Sequence, residues 1–377
     1  MDFQWTPEDE AYRAELRQFL FQALGPDWKG YDHADLETYE RESKKFCAGM
    51  AERGWLTQSW PREYGGQDAS PWRAAILSEE TWPRGEPRGP QYMNVNWIGP
   101  AIMKFGTPEQ KAYHLNRISR GDVCWCQGFS EPGAGSDLAA LRTQAVREGD
   151  HYVVNGEKIW TSHTGLAEWC FLLVRTDPAQ KRAKGITCLL VPTNTPGFKI
   201  NKVAGFMGEQ AFANPVFTDM RVPVANRVGE ENEGWEVVRY ALAFERVGAA
   251  HHKSCEVRLN ALAEIAHQEG RMDDPHIRAK FGQAWALTEA ARILYYKVVD
   301  LRAHGSGPTT DSNMSRVAGT MAYRAVHELC LLLMGEEALV RGSVGDATRT
   351  MSFGIAAGTY EIQLDQIATQ QLGMKRG

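Results

Sequence analysis

The hydrophobic periodicity of this chain changes twice, and those two changes constrain its fold more than any one motif does. Up to about Asp122, apolar residues recur at helical spacing, with Leu16, Phe19, Leu20, Ala23 and Leu24 forming one stripe. Thr6-Pro7-Glu8-Asp9 opens that helix with a capping hydroxyl, a first-turn proline and acids against the positive end of the dipole. Thr107-Pro108-Glu109-Gln110 repeats the device, and Glu63-Tyr64-Gly65-Gly66 and Arg84 to Pro90 read as loops between helices. From Asp122 the apolar runs shorten. Trp169 to Val174, Ile186 to Val191 and Val216-Phe217 read as strands separated by Pro, Gly and Asp turns. Asn155-Gly156 lies between Tyr152-Val153-Val154 and Lys158-Ile159-Trp160. It predicts a hairpin turn, because both central residues tolerate positive φ. After the Gly229 to Gly234 run, helical spacing returns and persists. The expectation is an α+β chain: an N-terminal helical domain over 1–121, a central antiparallel β domain over 122–228, and a C-terminal four-helix-bundle domain over 229–377.

Composition narrows the function classes. A chain of 377 residues with 43% hydrophobic and 24% charged residues buries a large core unaided, which excludes disorder and a disulfide framework. The net charge of −5 gives no footprint for nucleic acid or anionic lipid. No apolar run approaches the roughly 20 residues that span a bilayer, Leu329 to Met334 and Ile186 to Val191 coming nearest. The opening Met1-Asp2-Phe3-Gln4-Trp5 lacks the basic and apolar regions of a signal peptide, so a cytoplasmic protein is expected. Seven scattered cysteines read as buried or free thiols in a reducing compartment. Cys124-Trp125-Cys126 has the wrong spacing for a zinc knuckle and suits alternate positions of a strand.

Four segments could carry chemistry. In Gln127-Gly128-Phe129-Ser130-Glu131-Pro132-Gly133-Ala134-Gly135-Ser136-Asp137, glycines let backbone amides approach a ligand and Ser130 and Ser136 add hydroxyls; a plain loop is the competing reading. The segment lacks the third glycine and βαβ context of a Rossmann fingerprint. Trp160-Thr161-Ser162 offers an indole to stack on a flat ring beside two hydroxyls, or else a half-buried barrel tryptophan. On a helix from about Trp235, Glu245 shares a face with Val238, Ala241, Leu242, Gly248, Ala249 and His252. A carboxylate there is paired, with an arginine such as Arg246 or Arg258, solvated in a cleft, or functional with a raised pKa. Ala356-Ala357-Gly358-Thr359-Tyr360-Glu361-Ile362-Gln363 is a small-residue turn opening a helix, suited to an oxyanion or phosphate, or an ordinary interhelical loop. His251 and His252 point about 100° apart on a helix and do not both face one ion.

In order, these segments resemble the acyl-CoA dehydrogenase family over essentially the whole chain. The resemblance rests on Ser130-Glu131-Pro132-x-Ala134-Gly135-Ser136-Asp137 and on Asn155-Gly156-x-Lys158-x-Trp160 with Ser162. It continues in Val222-Pro223, in the Gly229 to Gly234 run with Trp235, and in Gly358-Thr359-x-Glu361-Ile362. It implies FAD, with Gln127, Phe129 and Ser130 lining the ring, Trp160 stacking beside it and Ser162 bonding it. It places Ser136 at the flavin pyrophosphate or the pantetheine arm, Thr359 and Glu361 near the ribityl and phosphate portion, and Arg246 on the coenzyme A side. The implied reaction takes the proton α to a thioester with a base while the β-hydride moves to flavin N5. The thioester oxygen is then met by the ribityl 2′-hydroxyl and the backbone amide of Ala357.

Two departures from the family pattern matter. Many members carry the catalytic glutamate immediately before the Gly-Thr pair, where this chain has Ala356-Ala357; others carry it before an arginine on the earlier helix, which Glu245-Arg246 fits. Homotetrameric members complete each FAD site with a neighbour's Arg-x-x-Phe-Gly and Gln-x-x-Gly-Gly. Here Arg271 fills the arginine's place, but Asp274-Pro275 replaces Phe-Gly and Leu332-Leu333-Met334-Gly335-Glu336 the second motif. That pattern, with Gln91 to Trp97, is similar to the α2β2 acyl-CoA dehydrogenases of bacterial steroid side-chain breakdown, and it implies a second, related subunit in place of a homotetramer. The expected activity is α,β-dehydrogenation of a branched or steroid-type acyl-CoA with an electron-transfer flavoprotein as acceptor. The alternatives are a non-catalytic subunit completing a partner's FAD site, or an acyl-CoA oxidase. A DNA-associated flavoprotein of the family would need more basic character than Met374-Lys375-Arg376-Gly377 supplies.

Overall fold

The computed structural model describes residues 5–25, 28, 36–180, 182–205, 208–245, 249–307, 309–340 and 353–375, with backbone alone at 36–37, 205, 208–211 and 244–245. The first helices are α1 (Pro7–Leu24), α2 (Leu36–Glu52), α3 (Pro71–Thr81), α4 (Gly99–Phe105) and α5 (Pro108–Ser119). Both capping devices form. Thr6 Oγ1 accepts from the Asp9 amide at 3.1 Å while the Asp9 carboxylate accepts from the Thr6 amide at 3.1 Å. Thr107 and Gln110 exchange the same bonds at 3.3 and 3.1 Å. Leu16, Phe19 and Leu20 of the α1 stripe are buried, with Ala23 and Leu24 half-buried.

The sheet comprises β1 (Trp125–Gly128), β2 (Gln144–Glu148), β3 (His151–Glu157), β4 (Trp169–Arg175), β5 (Ile186–Pro192), β6 (Phe198–Gly205), β7 (Gly208–Pro223) and β8 (Arg227–Val228). Its order is β6-β7-β3-β2-β4-β5-β8, with β1 also on β4. The pairings are antiparallel except β1–β4 and β2–β4, which are parallel. Two features differ from expectation. Asn155-Gly156 is not a hairpin turn, and Lys158-Ile159-Trp160 is not a strand. The β2–β3 turn is made by Gly149-Asp150, with Gly149 at φ +63°. Asn155 instead sits inside β3 at a shift of register against β7, bonding the Asp219 carboxylate at 3.1 Å and the Asp219 amide at 2.9 Å. Gly156 lies at φ +142° with Thr143 so close that a Cβ would stand 2.8 Å from its Cα. The tolerance for positive φ is thus spent on a bulge.

The remaining helices are α6 (Gly234–Glu245), α7 (His251–Gln268), α8 (Pro275–Ala303), α9 (Asp311–Met334) and α10 (Tyr360–Gln366). The single helix expected to run from Trp235 past His252 is broken: Ala249 and Ala250 are not helical and α7 starts afresh at His251. Glu245 is the last described residue of α6, and the helix does not continue through Ala249 and Ala250.

The chain forms two compact units. One gathers α2, α4, α5, α6 and the sheet around Cys126, Tyr152, Leu172, Val174, Leu189 and Phe217. The other gathers α1, α3 and α7 to α10, with α7, α8 and α9 packed around Leu259, Leu262, Phe281, Val326 and Leu329. All seven cysteines are buried free thiols. Asp311–Leu339 is long and apolar enough by composition to cross a membrane, but Ala322, Val326, Leu329 and Leu333 on it are buried in the bundle core.

Within the helical unit Glu79 is buried, accepting from Arg13 at 2.8 Å, Tyr296 at 2.6 Å and His252 Nε2 at 3.1 Å. Burial pushes its carboxyl up, but the bonds from His252 and Tyr296 and the Arg13 charge outweigh it and hold the group down at about 2. A carboxyl depressed on folding stabilises above its unfolded value near 4.5 and loses that contribution as pH falls toward 2. Glu79→Gln should therefore cost about 3 kcal/mol at pH 7. In denaturant titrations from pH 7 to 3, the gap to wild type should narrow below about pH 4.5; a gap independent of pH would show that the ion pairing contributes nothing.

Candidate functional site

Two of the sequence-selected residues, Phe129 and Ser130, are tied to the stretch leading into Trp160 at one loop-and-strand corner of the sheet unit. Lys158, fully buried, donates to the Phe129 carbonyl at 3.1 Å and to the Glu131 carboxylate at 2.8 Å, and the Ile159 amide donates to the Ser130 carbonyl at 2.8 Å. Glu131 also accepts from the Arg142 and Thr143 amides at 2.6 and 2.9 Å. Burial draws the Lys158 ammonium down to about 8 against the opposing pull of Glu131. Burial pushes Glu131 up, yet the Lys158 charge leaves it below the usual carboxylate range. Both are charged at neutral pH. Neither was singled out from the sequence, although both lie inside the quoted motifs.

That pair sews the Gln127–Asp137 segment to the stretch carrying Trp160 and Ser162. Trp160 is 56% exposed at φ +58°, touching Phe212 edge-on at 5.8 Å. A bulky residue with that backbone is an outlier that its surroundings must hold. The hold is visible: Thr161 exchanges backbone bonds with Ala213 at 3.1 and 2.9 Å. The buried Thr161 Oγ1 has no partner among the described residues. Ser130 and Ser162 are half-buried and Ser136 exposed. A Cβ on Gly133 or Gly135 would meet nothing within 4 Å. Phe129 is 4% exposed, its ring tilted against Phe171 at 5.8 Å, so it packs into the sheet core. Gln127 is fixed by a residue the sequence reading did not assign: Trp97 Nε1 donates to Gln127 Oε1 at 2.7 Å, which leaves the amide N–H groups of Gln127 to point elsewhere. Gln91 and Asn94 anchor that same segment by bonding the Val123 carbonyl at 2.6 and 2.9 Å. An exposed indole, unspent hydroxyls and open glycines suit a flat ring with a polar edge and an attached phosphate arm.

In the helical unit, Ala357 at φ +58° and Gly358 at φ +85° form a left-handed turn ahead of Thr359. Thr359 caps α10, its hydroxyl accepting from the Ile362 amide at 3.2 Å, and Glu361 is exposed in the first turn. The carbonyls of the turn are all held: Arg316 Nη2 donates to Ala356 at 3.2 Å, and Gln363 Nε2 donates to Ala357 and Gly358 at 3.3 and 3.0 Å. Gln363 is itself gripped by Asn313 at 2.6 Å. Neither Arg316 nor Asn313 was foreseen as part of the site, since α9 is far from the turn in sequence, and Gln363, though inside the quoted segment, was given no role. Elsewhere in this unit Arg271 donates to the Leu333 and Leu332 carbonyls at 2.6 and 2.9 Å, closing the end of α9. His251 Nε2 faces Arg316 at 2.9 Å and His252 Nε2 faces Glu79, so the adjacent histidines serve different partners. The Glu245 side chain and all of Arg246 lie outside the described residues.

Comparison with known proteins bears on this arrangement. Family models for the acyl-CoA dehydrogenase N-terminal, middle and C-terminal domains match residues 6–122, 126–220 and 232–372. The chain is 34% identical to the acyl-CoA dehydrogenase FadE26 of Mycobacterium tuberculosis, covering 100% of this chain and 99% of that one. It is 33% identical to the acyl-CoA dehydrogenase IpdE1 of the same organism, over 97% and 98%. Among solved structures, the Tcur3481-Tcur3483 steroid ACAD superposes with TM-score 0.90 at 29% identity, covering both chains fully. The ChsE4-ChsE5 complex from Mycobacterium tuberculosis superposes with TM-score 0.89 at 34% identity, again over the full length of both. With the three domain matches in chain order and a relative of 34% identity over the whole of this chain, the chain belongs to the acyl-CoA dehydrogenase family of FAD-dependent oxidoreductases.

Proposed function

We propose that this dehydrogenase converts a branched or steroid-type acyl-CoA to its trans-2-enoyl-CoA, with Glu245 as the base that takes the α-proton. The reading rests on one observation: a left-handed Ala357-Gly358 turn whose carbonyls are engaged and which has no carboxylate of its own. The turn can steady an oxyanion but cannot remove a proton, so the base comes from another element, and Glu245 at the end of α6 is the candidate. As the α-proton leaves, charge grows on the thioester oxygen, and the Ala357 amide donates to it. FAD, held by Gln127, Ser130, Trp160 and Ser162 at its ring and by Thr359 and Glu361 toward its ribityl and phosphate portion, supplies the hydride acceptor. Ser136 reaches the pyrophosphate or the pantetheine arm, and Arg246 the coenzyme A. Alanines at 356 and 357 leave volume beside the reacting carbons for a bulky acyl group, in keeping with a likeness to a steroid ACAD.

The functional unit is proposed to include a second acyl-CoA dehydrogenase-like subunit. The similar ChsE4-ChsE5 structure is a complex of two named components. In this chain Asp274-Pro275 caps α8, the Asp274 carboxylate accepting from the His276 amide at 2.8 Å, and the Arg271 fork is spent on α9. Leu331, Leu332, Leu339, Val340, Leu364 and Leu372 in the C-terminal part of the chain are exposed apolar residues. Expression alone should give substoichiometric flavin, and co-expression with a related subunit should restore it. Activity is then read over straight-chain, branched and steroid acyl-CoA thioesters with an electron-transfer flavoprotein. A fully flavinated, active homotetramer refutes the two-subunit reading, and rapid reoxidation by air marks an oxidase instead.

A further inference from the structure

The hold on the Ala356 carbonyl has a chemical consequence. A trans peptide unit is planar, with its C=O and N–H pointing opposite ways, and the described chain contains no cis bonds. Whatever fixes the Ala356 oxygen therefore also fixes the direction of the Ala357 N–H. Arg316 Nη2 takes that oxygen at 3.2 Å. Its Nη1 is meanwhile on His251 Nε2 at 2.9 Å, and its guanidinium lies 4.4 Å from the centre of the Phe353 ring. The Phe353 and Tyr323 rings pack on each other at 4.2 Å, and Phe353 meets His251 at 4.3 Å. The guanidinium is thus constrained on three sides: a nitrogen acceptor, an aromatic face and the carbonyl. A cation on the carbonyl also polarises the peptide unit and makes its N–H a stronger donor. His251 serves only as the neutral ring, accepting at Nε2. Burial, with Arg316 beside it, pushes its pKa well below the usual value.

We propose that Arg316 is a positioning residue for the dehydrogenation, locking the Ala356–Ala357 peptide plane so that the Ala357 N–H is aimed at the thioester oxygen. This rests on the reading of Ala357 as the oxyanion donor. Arg316 touches no reacting atom and acts through the peptide it holds. Gln363 supports the next two planes, bonding the Ala357 and Gly358 carbonyls, so among the described residues the plane carrying the Ala357 N–H is the one held by Arg316.

Arg316→Met and Arg316→Lys test it in the flavin-loaded complex. Lysine keeps the charge but cannot donate to His251 and Ala356 as one planar fork. Misaligning a donor by about 1 Å costs on the order of 10²-fold. We expect kcat to fall about 10- to 100-fold in Arg316→Met and less in Arg316→Lys, with KM and flavin content within about threefold of wild type. The second readout is the infrared carbonyl frequency of a bound trans-2-octenoyl-CoA labelled with carbon-13 at its carbonyl. It should rise toward its value in water in both variants, a change that loss of stability alone does not produce. If Arg316→Met does not fold, Arg316→Lys carries the test. A folded variant with unchanged kcat and unchanged frequency overturns the positioning role. Replacing Ala357 by its ester analogue, lactate, separates the two ideas. Normal turnover without the 357 N–H overturns the oxyanion reading together with this proposal, whereas lost turnover there with normal Arg316 variants overturns this proposal alone.

Discussion

Glu245→Gln should bind flavin at wild-type stoichiometry and lose about 10²- to 10⁴-fold in turnover. The amide is the same size as the carboxylate, so packing and cofactor retention are preserved while the electron pair that takes the α-proton is removed. Glu245 closes the described part of α6, and its role as the base rests on the reading proposed above. Two measurements accompany the rate. Exchange of the substrate α-proton with deuterated solvent should vanish in the variant. The acid limb of the wild-type kcat/KM profile should also disappear, since the group that titrates is gone. Turnover within a few-fold of wild type would remove Glu245 from the mechanism. Catalysis surviving in the complex but unaffected by the variant would place the chemistry in a partner and leave this chain a supporting subunit.

What the sequence revealed and what it concealed divide along sequence separation. Caps and strands are local, and Thr6 with Asp9, Thr107 with Gln110, and the apolar runs of β4 and β5 were readable because their partners lie a few residues away. Asn155-Gly156 was read for positive φ, which only Gly156 adopts, and was assigned the wrong use. Whether such a pair turns the chain or bulges a strand depends on Asp219 and Thr143, which local pattern does not place beside it. The break ahead of α7 was hidden because Leu242, Ala249 and His252 keep helical spacing across it. The parallel β1–β4 pairing needs a crossover that no local signal announces. At the site, the motifs exposed the residues that would face ligand, while those that hold them were invisible: Trp97 is 30 residues from Gln127, and Arg316 is 40 from Ala356.

Lys158→Met carries the largest expected structural effect. The substitution keeps most of the side chain's volume and removes the only side-chain cation bonded to the buried Glu131 carboxylate among the described residues. Removing one partner of a buried pair leaves an uncompensated charge and costs about 3 to 5 kcal/mol. The Arg142 and Thr143 amides still reach Glu131, which places the expected loss toward the lower end of that range. The loss should not stay confined to stability. Lys158 also bonds the Phe129 carbonyl, so releasing it frees the Ser130 segment from the stretch that leads into Trp160, whose left-handed backbone depends on its surroundings. Flavin affinity should fall with it, by about tenfold or more if even half of the lost free energy is transmitted. Pairing the change with Glu131→Gln separates charge from packing. The double variant removes the stranded carboxylate and should recover part of the stability while flavin binding stays weak, because the bond to the Phe129 carbonyl is still missing. If the single variant instead binds flavin normally and unfolds at the wild-type denaturant midpoint, the two motifs are held by the Ile159 to Ser130 backbone bond alone, and the buried pair has no part in shaping the site.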